Sequence, residues 1–175
     1  MASIFGHALV GWGISSENRN KNIKLLIFLA IISAILPDAD VIAFKYDIPY
    51  ESMFGHRGIT HSIFFALIWS LSISLMFKST RKVIFTIIFL ATISHSLLDA
   101  MTTGGLGVAF FAPFSAERFF FPFRPIKVSP LGAANFFSNW GLMVLKSELI
   151  WIGIPVLLYK ILLQMANGYR RQNTK

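Results

Sequence analysis

Four stretches of almost unbroken apolar sequence, at residues 23–36, 63–77, 83–100 and 149–166, leave this chain few ways to fold. A helix needs about 20 residues to cross a bilayer, so the first two must borrow flanking residues or stop below the surface. Within hydrocarbon a backbone has to satisfy its own polar groups, which selects helices. The expected fold class is all-α: a polytopic helical membrane protein with four to five membrane-embedded helices and a long outer loop. At 55% hydrophobic and 14% charged residues, the composition is too apolar for an ordinary soluble domain. A fifth apolar segment, residues 2–14, is shorter. Its basic neighbours Arg19, Lys21 and Lys24 follow it, so it reads as a retained segment rather than a cleaved signal. No repeat or linker interrupts residues 1–175, which read as a single domain.

The net charge of +8 has a topological explanation. Arg19, Lys21 and Lys24 precede the first long span, Lys78, Arg81 and Lys82 separate the second from the third, and Lys160, Arg170, Arg171 and Lys175 close the chain. Alternating spans put all three clusters on one side, which the positive-inside rule makes the cytoplasm. Nucleic acid is therefore not an expected partner, and the protein is expected in the inner or plasma membrane. The opposite side carries residues 44–55 and 102–147.

Short polar islands interrupt the spans and collect every histidine in the chain: His7, Pro37-Asp38-Ala39-Asp40, the heptapeptide from His56 through Arg57, Thr60 and His61 to Ser62, and His95 with Asp99. At ~1.5 Å per helical residue, His95 lies about 18 Å from Val83, Asp99 about 24 Å from Val83, Asp38 about 21 Å from Lys24 and His61 about 25 Å from Lys78. A helix over residues 2–16 would put His7 about 18 Å from Arg19 by the same rise. Independent segments thus bring ionisable groups to one level in the outer half of the membrane. Such groups are costly there and mark functional sites.

Each island also has a plainer reading. His95 and Asp99 project from one helical face, a spacing that suits a shared metal or a buried hydrogen bond equally. Pro37 favours a helix break near Leu36, after which Asp38 and Asp40 can converge from a turn or sit at a solvated helix end. His56 and His61 lie about 140° apart around a helix, so one direct ligand is expected, with His61 favoured. Thr60 is the expected N-cap of the following span, leaving His56, Arg57 and Gly58 in its entry loop, where Arg57 could anchor at the interface. His7 alone fits a packing residue, and its depth is what recommends it. With no cysteine, any metal must be held by imidazole and carboxylate, which suits zinc, with manganese or iron as alternatives. Such a metal lowers the pKa of a bound water to about 7.

Beyond the third span, nine Phe and one Trp fall between Phe110 and Trp140, a density suited to a membrane interface. Arg118 and Arg124 in this segment are expected either to clamp a substrate phosphate or to snorkel from a lid that packs on the bundle.

The ordered set resembles the YdjM-like family of LexA-regulated, membrane-bound predicted metal-dependent hydrolases. The resemblance rests on the early His7, on Pro37-Asp38-x-Asp40, on the heptapeptide from His56 to Ser62, on His95-x-x-x-Asp99, and on Thr102 to Gly105 with the Pro/Arg-rich stretch to Pro125. It covers roughly residues 5 to 130 and is most specific at the heptapeptide. A looser similarity links the order of ligands to the zinc-dependent phospholipase C and P1 nuclease group. That similarity implies one metal held by His61 or His56, His95, Asp99 and Asp38, with Asp99 bridging to a second metal that also takes His7. Asp38 or Asp40 would then orient or deprotonate the attacking water. Those enzymes use further histidines downstream, whereas none follows His95 here, so two ions are the ceiling.

The functional expectation is a membrane-embedded metal-dependent hydrolase acting on a lipid or lipid-linked phosphoester, with Asp38, Asp40 and Arg57 as catalytic candidates. Two rivals from other classes are an ion- or proton-coupled transporter using the intramembrane His and Asp, and a non-catalytic protein stabilised by its metal. The chain does not specify an oligomeric state.

Overall fold

A computed structural model describes residues 1–16 and 22–173 of the protein. Among these residues the structure is helical, without a named strand. Helix α1 spans Ile4–Ser15, and α2 spans Ile23–Ile35 and runs on as a 3-10 helix over Leu36–Tyr46. A short turn at Ile59–His61 leads into α3 (Ile63–Leu75), and α4 covers Arg81–Ala100. After a long irregular segment come α5 (Ala133–Phe136), α6 (Asn139–Glu148), a π-helical turn (Leu149–Gly153) and α7 (Ile154–Asn173). Three continuous helical stretches are long and apolar enough to cross a membrane: Ile23–Tyr46, Arg81–Ala100 and Asn139–Asn167. Ile4–Ser15 and Ile63–Leu75 are apolar but shorter.

Helix α4 sits at the centre, with α1, α2 and α3 packed on it and α1 also packed along α2. The buried faces of these helices are rich in small residues: Ala30, Ser33 and Ala34 on α2, Ala66, Ser70 and Ser74 on α3, Ala91 and Thr92 on α4. Large apolar side chains such as Phe28, Leu71 and Leu158 point outward. This inversion suits lipid, where outward Leu and Phe cost nothing and small residues let helices approach closely. Gly11 shows how close: a Cβ there would stand 2.8 Å from the Ala30 carbonyl oxygen. Several buried hydroxyls bond their own helices, as Thr92 does to the Ile88 carbonyl, while Ser96 donates across to the His61 carbonyl at 2.7 Å and Trp69 donates from α3 to Ser33 at 2.9 Å.

Three expectations change. Leu36 keeps right-handed helical angles, so no break occurs before Pro37. The proline lacks the N–H that an α-helix would use, and the chain tightens into 3-10 winding instead of leaving the helix. Ser62, not Thr60, caps α3, accepting from Phe65 N at 3.0 Å. The last span also begins earlier than the apolar run suggests. Ser138 caps α6, and the π turn joins α6 to α7, so residues 139–148 are helix rather than outer loop. The basic residues Arg19, Lys21 and Lys175 lie outside the described residues, as do the side chains of Arg170 and Arg171.

Candidate metal centre

Five side chains from four separate segments meet where the outer ends of α1, α2 and α4 converge. His7 comes from α1, Asp38 from the 3-10 extension of α2, His61 from the turn before α3, and His95 and Asp99 from one face of α4. His61 Nε2 and His95 Nε2 face each other at 3.0 Å. Asp38 Oδ1 lies 3.3 Å from His95 Nε2 and 3.6 Å from His61 Nε2. Asp99 Oδ2 lies 3.7 Å from His61 Nε2 and 4.0 Å from His95 Nε2. Ligands about 2.0–2.1 Å from a tetrahedral zinc stand roughly 3.3 Å apart, which is the scale of this quartet.

Hydrogen bonding outside the quartet decides what its nitrogens can do. His95 Nδ1 lies 2.7 Å from the Ala34 carbonyl, which can only accept, so Nδ1 carries the proton. His61 Nδ1 faces Asp40 Oδ2 at 3.1 Å and is held the same way. With Nδ1 so engaged, Nε2 is the atom each ring turns inward and the one it would offer a metal, since a partner on one ring nitrogen fixes which nitrogen faces the ion. Asp38 Oδ1 is buried beside them without a hydrogen-bond partner, and Asp99 Oδ2 has the guanidinium of Arg57 on its far side. One proton cannot satisfy four converging acceptors, whereas one divalent cation can.

The two carboxylates also reach the other way. Asp99 Oδ1 lies 3.4 Å from His7 Nε2, and Asp38 Oδ2 lies 4.0 Å from it. Neither ring nitrogen of His7 has a hydrogen-bond partner, and its ring stacks on His95 with centroids 3.7 Å apart. Asp38 and Asp99 thus each present one oxygen to the His61/His95 pair and the other to His7.

Asp40 has a different place from the one expected for a base. Its Oδ1 bonds His56 Nδ1 at 2.6 Å, and its Oδ2 accepts from Arg57 N at 3.0 Å and Thr60 Oγ1 at 2.7 Å as well as facing His61. On a 3-10 helix two positions apart means about 120° of separation, so Asp38 takes the Nε2 side of His61 and Asp40 the Nδ1 side. Asp40, His56 and His61 form a second group of ligand-type atoms within 4.8 Å, joined here by hydrogen bonds. His56 itself lies behind Asp40, edge-on to Tyr50 at 5.2 Å. Burial pushes the Tyr50 phenol above its ordinary pKa, keeping it protonated.

Arg57 is no interfacial anchor. It is fully buried at a left-handed backbone position (φ 62°), with Nε 3.0 Å from Asp99 Oδ2. Its other nitrogens donate to the Gly104 carbonyl at 2.9 Å and to Thr102 Oγ1 at 3.0 Å. A Cβ on Gly105 would stand 2.6 Å from this guanidinium, so the glycine makes room for it. Arg57 balances the charge of Asp99 and ties the segment after α4 to the centre.

Arg118 and Arg124, read as a phosphate clamp or as snorkelling side chains of a lid, make different contacts. Arg118 donates to the carbonyls of His56, Tyr50 and Ser52 at 3.0, 2.8 and 3.1 Å, stapling the 50s loop. Arg124 is exposed and stacks over Phe120 at 4.6 Å. Neither contact could be read from a spacing of six.

Glu148 was not anticipated. Its carboxylate accepts from Ser3 N at 2.5 Å and Ser3 Oγ at 2.6 Å, while the adjacent Ala2 N donates to Asp99 Oδ1 at 2.8 Å. An acid at the edge of an apolar run reads as a span boundary. Its position immediately before residues 149–166, with Ser3 as a helix cap, was the available signal.

Residues 2–171 match the family model described as YdjM inner membrane protein. The chain belongs to that family. The inner membrane protein YbcI of Escherichia coli (strain K12) is 39% identical over 163 residues, covering 90% of this chain and 94% of the relative. No solved structure matches. The family match extends past the motifs into the last span, so the whole bundle, including Glu148, lies within the shared unit. This is a helical membrane protein whose buried His and Asp groups could hold a metal.

Proposed function

We propose that the protein is a metal-dependent hydrolase of the membrane, acting on a phosphoester of a lipid or lipid-linked substrate. The observation that carries this reading is the convergence of His61 Nε2, His95 Nε2, Asp38 Oδ1 and Asp99 Oδ2, in which Asp38 Oδ1 is buried without a hydrogen-bond partner and Asp99 Oδ2 is paired with Arg57 Nε. Zinc suits two imidazoles and two carboxylates. The outward-turned oxygens of Asp38 and Asp99, with His7 Nε2, offer a place for a second ion.

A divalent metal here would supply Lewis acidity and an activated water. The chain's own residues do the rest. Ala34 and Asp40 hold the two histidines with Nε2 turned inward. Arg57 offsets the charge of Asp99, and Ala2 N fixes its rotamer. Asp38, the least buried of the five, is placed to orient a water or accept its proton. A general base must lie within hydrogen-bond reach of that water, and Asp40 is already engaged by four donors. Among the described residues of α2 with its 3-10 extension, α3 and α4, the buried ionisable groups stop at one level. Below them the described buried polar groups on α2, α3 and α4 include Ser33, Ser70, Ser74 and Thr92, all hydrogen bonded, which favours a reaction centre over a relay across the membrane.

The test is metal content by mass spectrometry on detergent-purified protein, followed by hydrolysis of lipid phosphoesters. We expect about one to two equivalents of zinc, lost together with hydrolysis in the His95→Ala/Asp99→Ala variant. Full activity in that variant, or no metal after reconstitution with zinc, manganese or iron, would remove the hydrolase reading.

A further inference from the structure

The centre is closed on nearly every side. The side chains of His7, His61, His95 and Asp99 are 0% exposed, whereas that of Asp38 is 10% exposed. Asp38 reaches the surface in a particular place, a groove of about 360 Å³ between α1 and the α2–3-10 helix. Its walls are Met1, Ile4 from α1, Ile32 and Ile35 from α2, and Leu36 and Ala39 from the 3-10 extension; the Met1 amino group lies at the inner end, 3.8 Å from Asp99 Oδ2. Ile4 and Ile32 stand on the outer face of the bundle, and Ile32 lies within the Ile23–Tyr46 span. The groove therefore opens sideways toward lipid.

An apolar groove in a membrane surface is ordinary. One that ends on a metal-ligating carboxylate is not. A water-soluble substrate entering between isoleucines would leave its hydration shell with no polar partner until it reached the inner end, where Asp38 and the Met1 amino group lie. A hydrocarbon chain pays no such penalty, and the volume falls in the range of small-ligand pockets lined by apolar side chains with one polar end. We propose that this groove binds one hydrocarbon chain of a membrane lipid, entering laterally, and delivers its phosphoester head to Asp38. The head-group part of the proposal rests on the hydrolase reading, because a metal must offset the carboxylates before a phosphate can approach. The chain-binding part does not.

The experiment uses the full-length protein reconstituted in vesicles of phosphatidylglycerol carrying a diazirine near the end of one acyl chain. After irradiation, the labelled residues are mapped by mass spectrometry. Labelling should concentrate on Ile4, Ile32, Ile35 and Leu36. It should fall about tenfold when the exposed Ala39 is changed to Trp, the change produced by losing ~1.4 kcal/mol of binding. Ile32→Trp, also at an exposed position, serves as a second filling variant should the first not fold. Leu71→Trp on the outer face of α3 should leave groove labelling unchanged. Labelling spread evenly over α3 and α7, or unaltered in the filling variants, would overturn the proposal. Label in the groove of a protein without metal or activity would uphold chain binding and remove only the hydrolase reading. Uniform label on a protein that holds metal and hydrolyses a soluble phosphoester would do the reverse.

Discussion

Helices α2 and α4 meet twice, and the two meetings are built differently. In their inner halves Leu26, Ala30, Ile84, Ile88 and Ala91 form an apolar cluster held by shape alone. Toward their outer ends His95 and Asp99 are held by directional bonds to partners on other segments, and Asp38, on the 3-10 extension of α2, converges on them. Ala34 belongs to both, with its methyl in the cluster and its carbonyl on His95 Nδ1. Dispersion is tolerant, because many weak contacts can readjust after one is lost. A converging set of charges is not, since removing one member leaves the others buried and unpaired.

Substitutions in each half should separate these two kinds of construction. The largest effect is expected for Arg57→Ala, which strands Asp99 in a dry site. A loss of about 3–5 kcal/mol in the folding free energy of the detergent-solubilised protein is expected. Bound zinc should protect this variant more than the parent, because the ion replaces the missing positive charge. A stability loss below about 1 kcal/mol would mean that Asp99 does not depend on Arg57 for its charge balance. Asp40→Asn comes next. It weakens the anchor on His61 Nδ1 without touching the quartet, so zinc affinity measured by competition with a chelator should drop about 10–100-fold. Unchanged affinity would show that Asp40 does not orient His61. Ile88→Val is the smallest, costing about 0.5–1.5 kcal/mol in thermal unfolding and leaving metal stoichiometry intact. Metal loss from so remote a deletion would show that the two halves are one cooperative unit.

Much of the centre was legible before folding because depth along a helix is a one-dimensional quantity. His7, Asp38, His61, His95 and Asp99 could each be placed by counting residues from a basic flank, and the structure brings all five together. Counting residues could not assign partners. Arg57, Arg118 and Arg124 looked alike as arginines near an interface. One is buried against Asp99, one staples backbone carbonyls, and one stacks on a phenyl ring. Arginine has five donors on a long stem, so its role follows from whichever acceptors the fold happens to present.

The sequence alone determined that this chain is a bundle of apolar helices, that with no cysteine any metal it holds must be bound by imidazole and carboxylate, and that the histidines and aspartates of its polar islands share a level along the helices. These follow from composition and helical rise, which are local. Only the tertiary structure decided that Asp38 and Asp40 take opposite sides of His61, since that depends on 3-10 winding after Pro37. It also decided that Glu148, from the last long helix, fastens the segment that orients Asp99. Contacts between residues nearly 150 positions apart are set by packing, which no local pattern encodes.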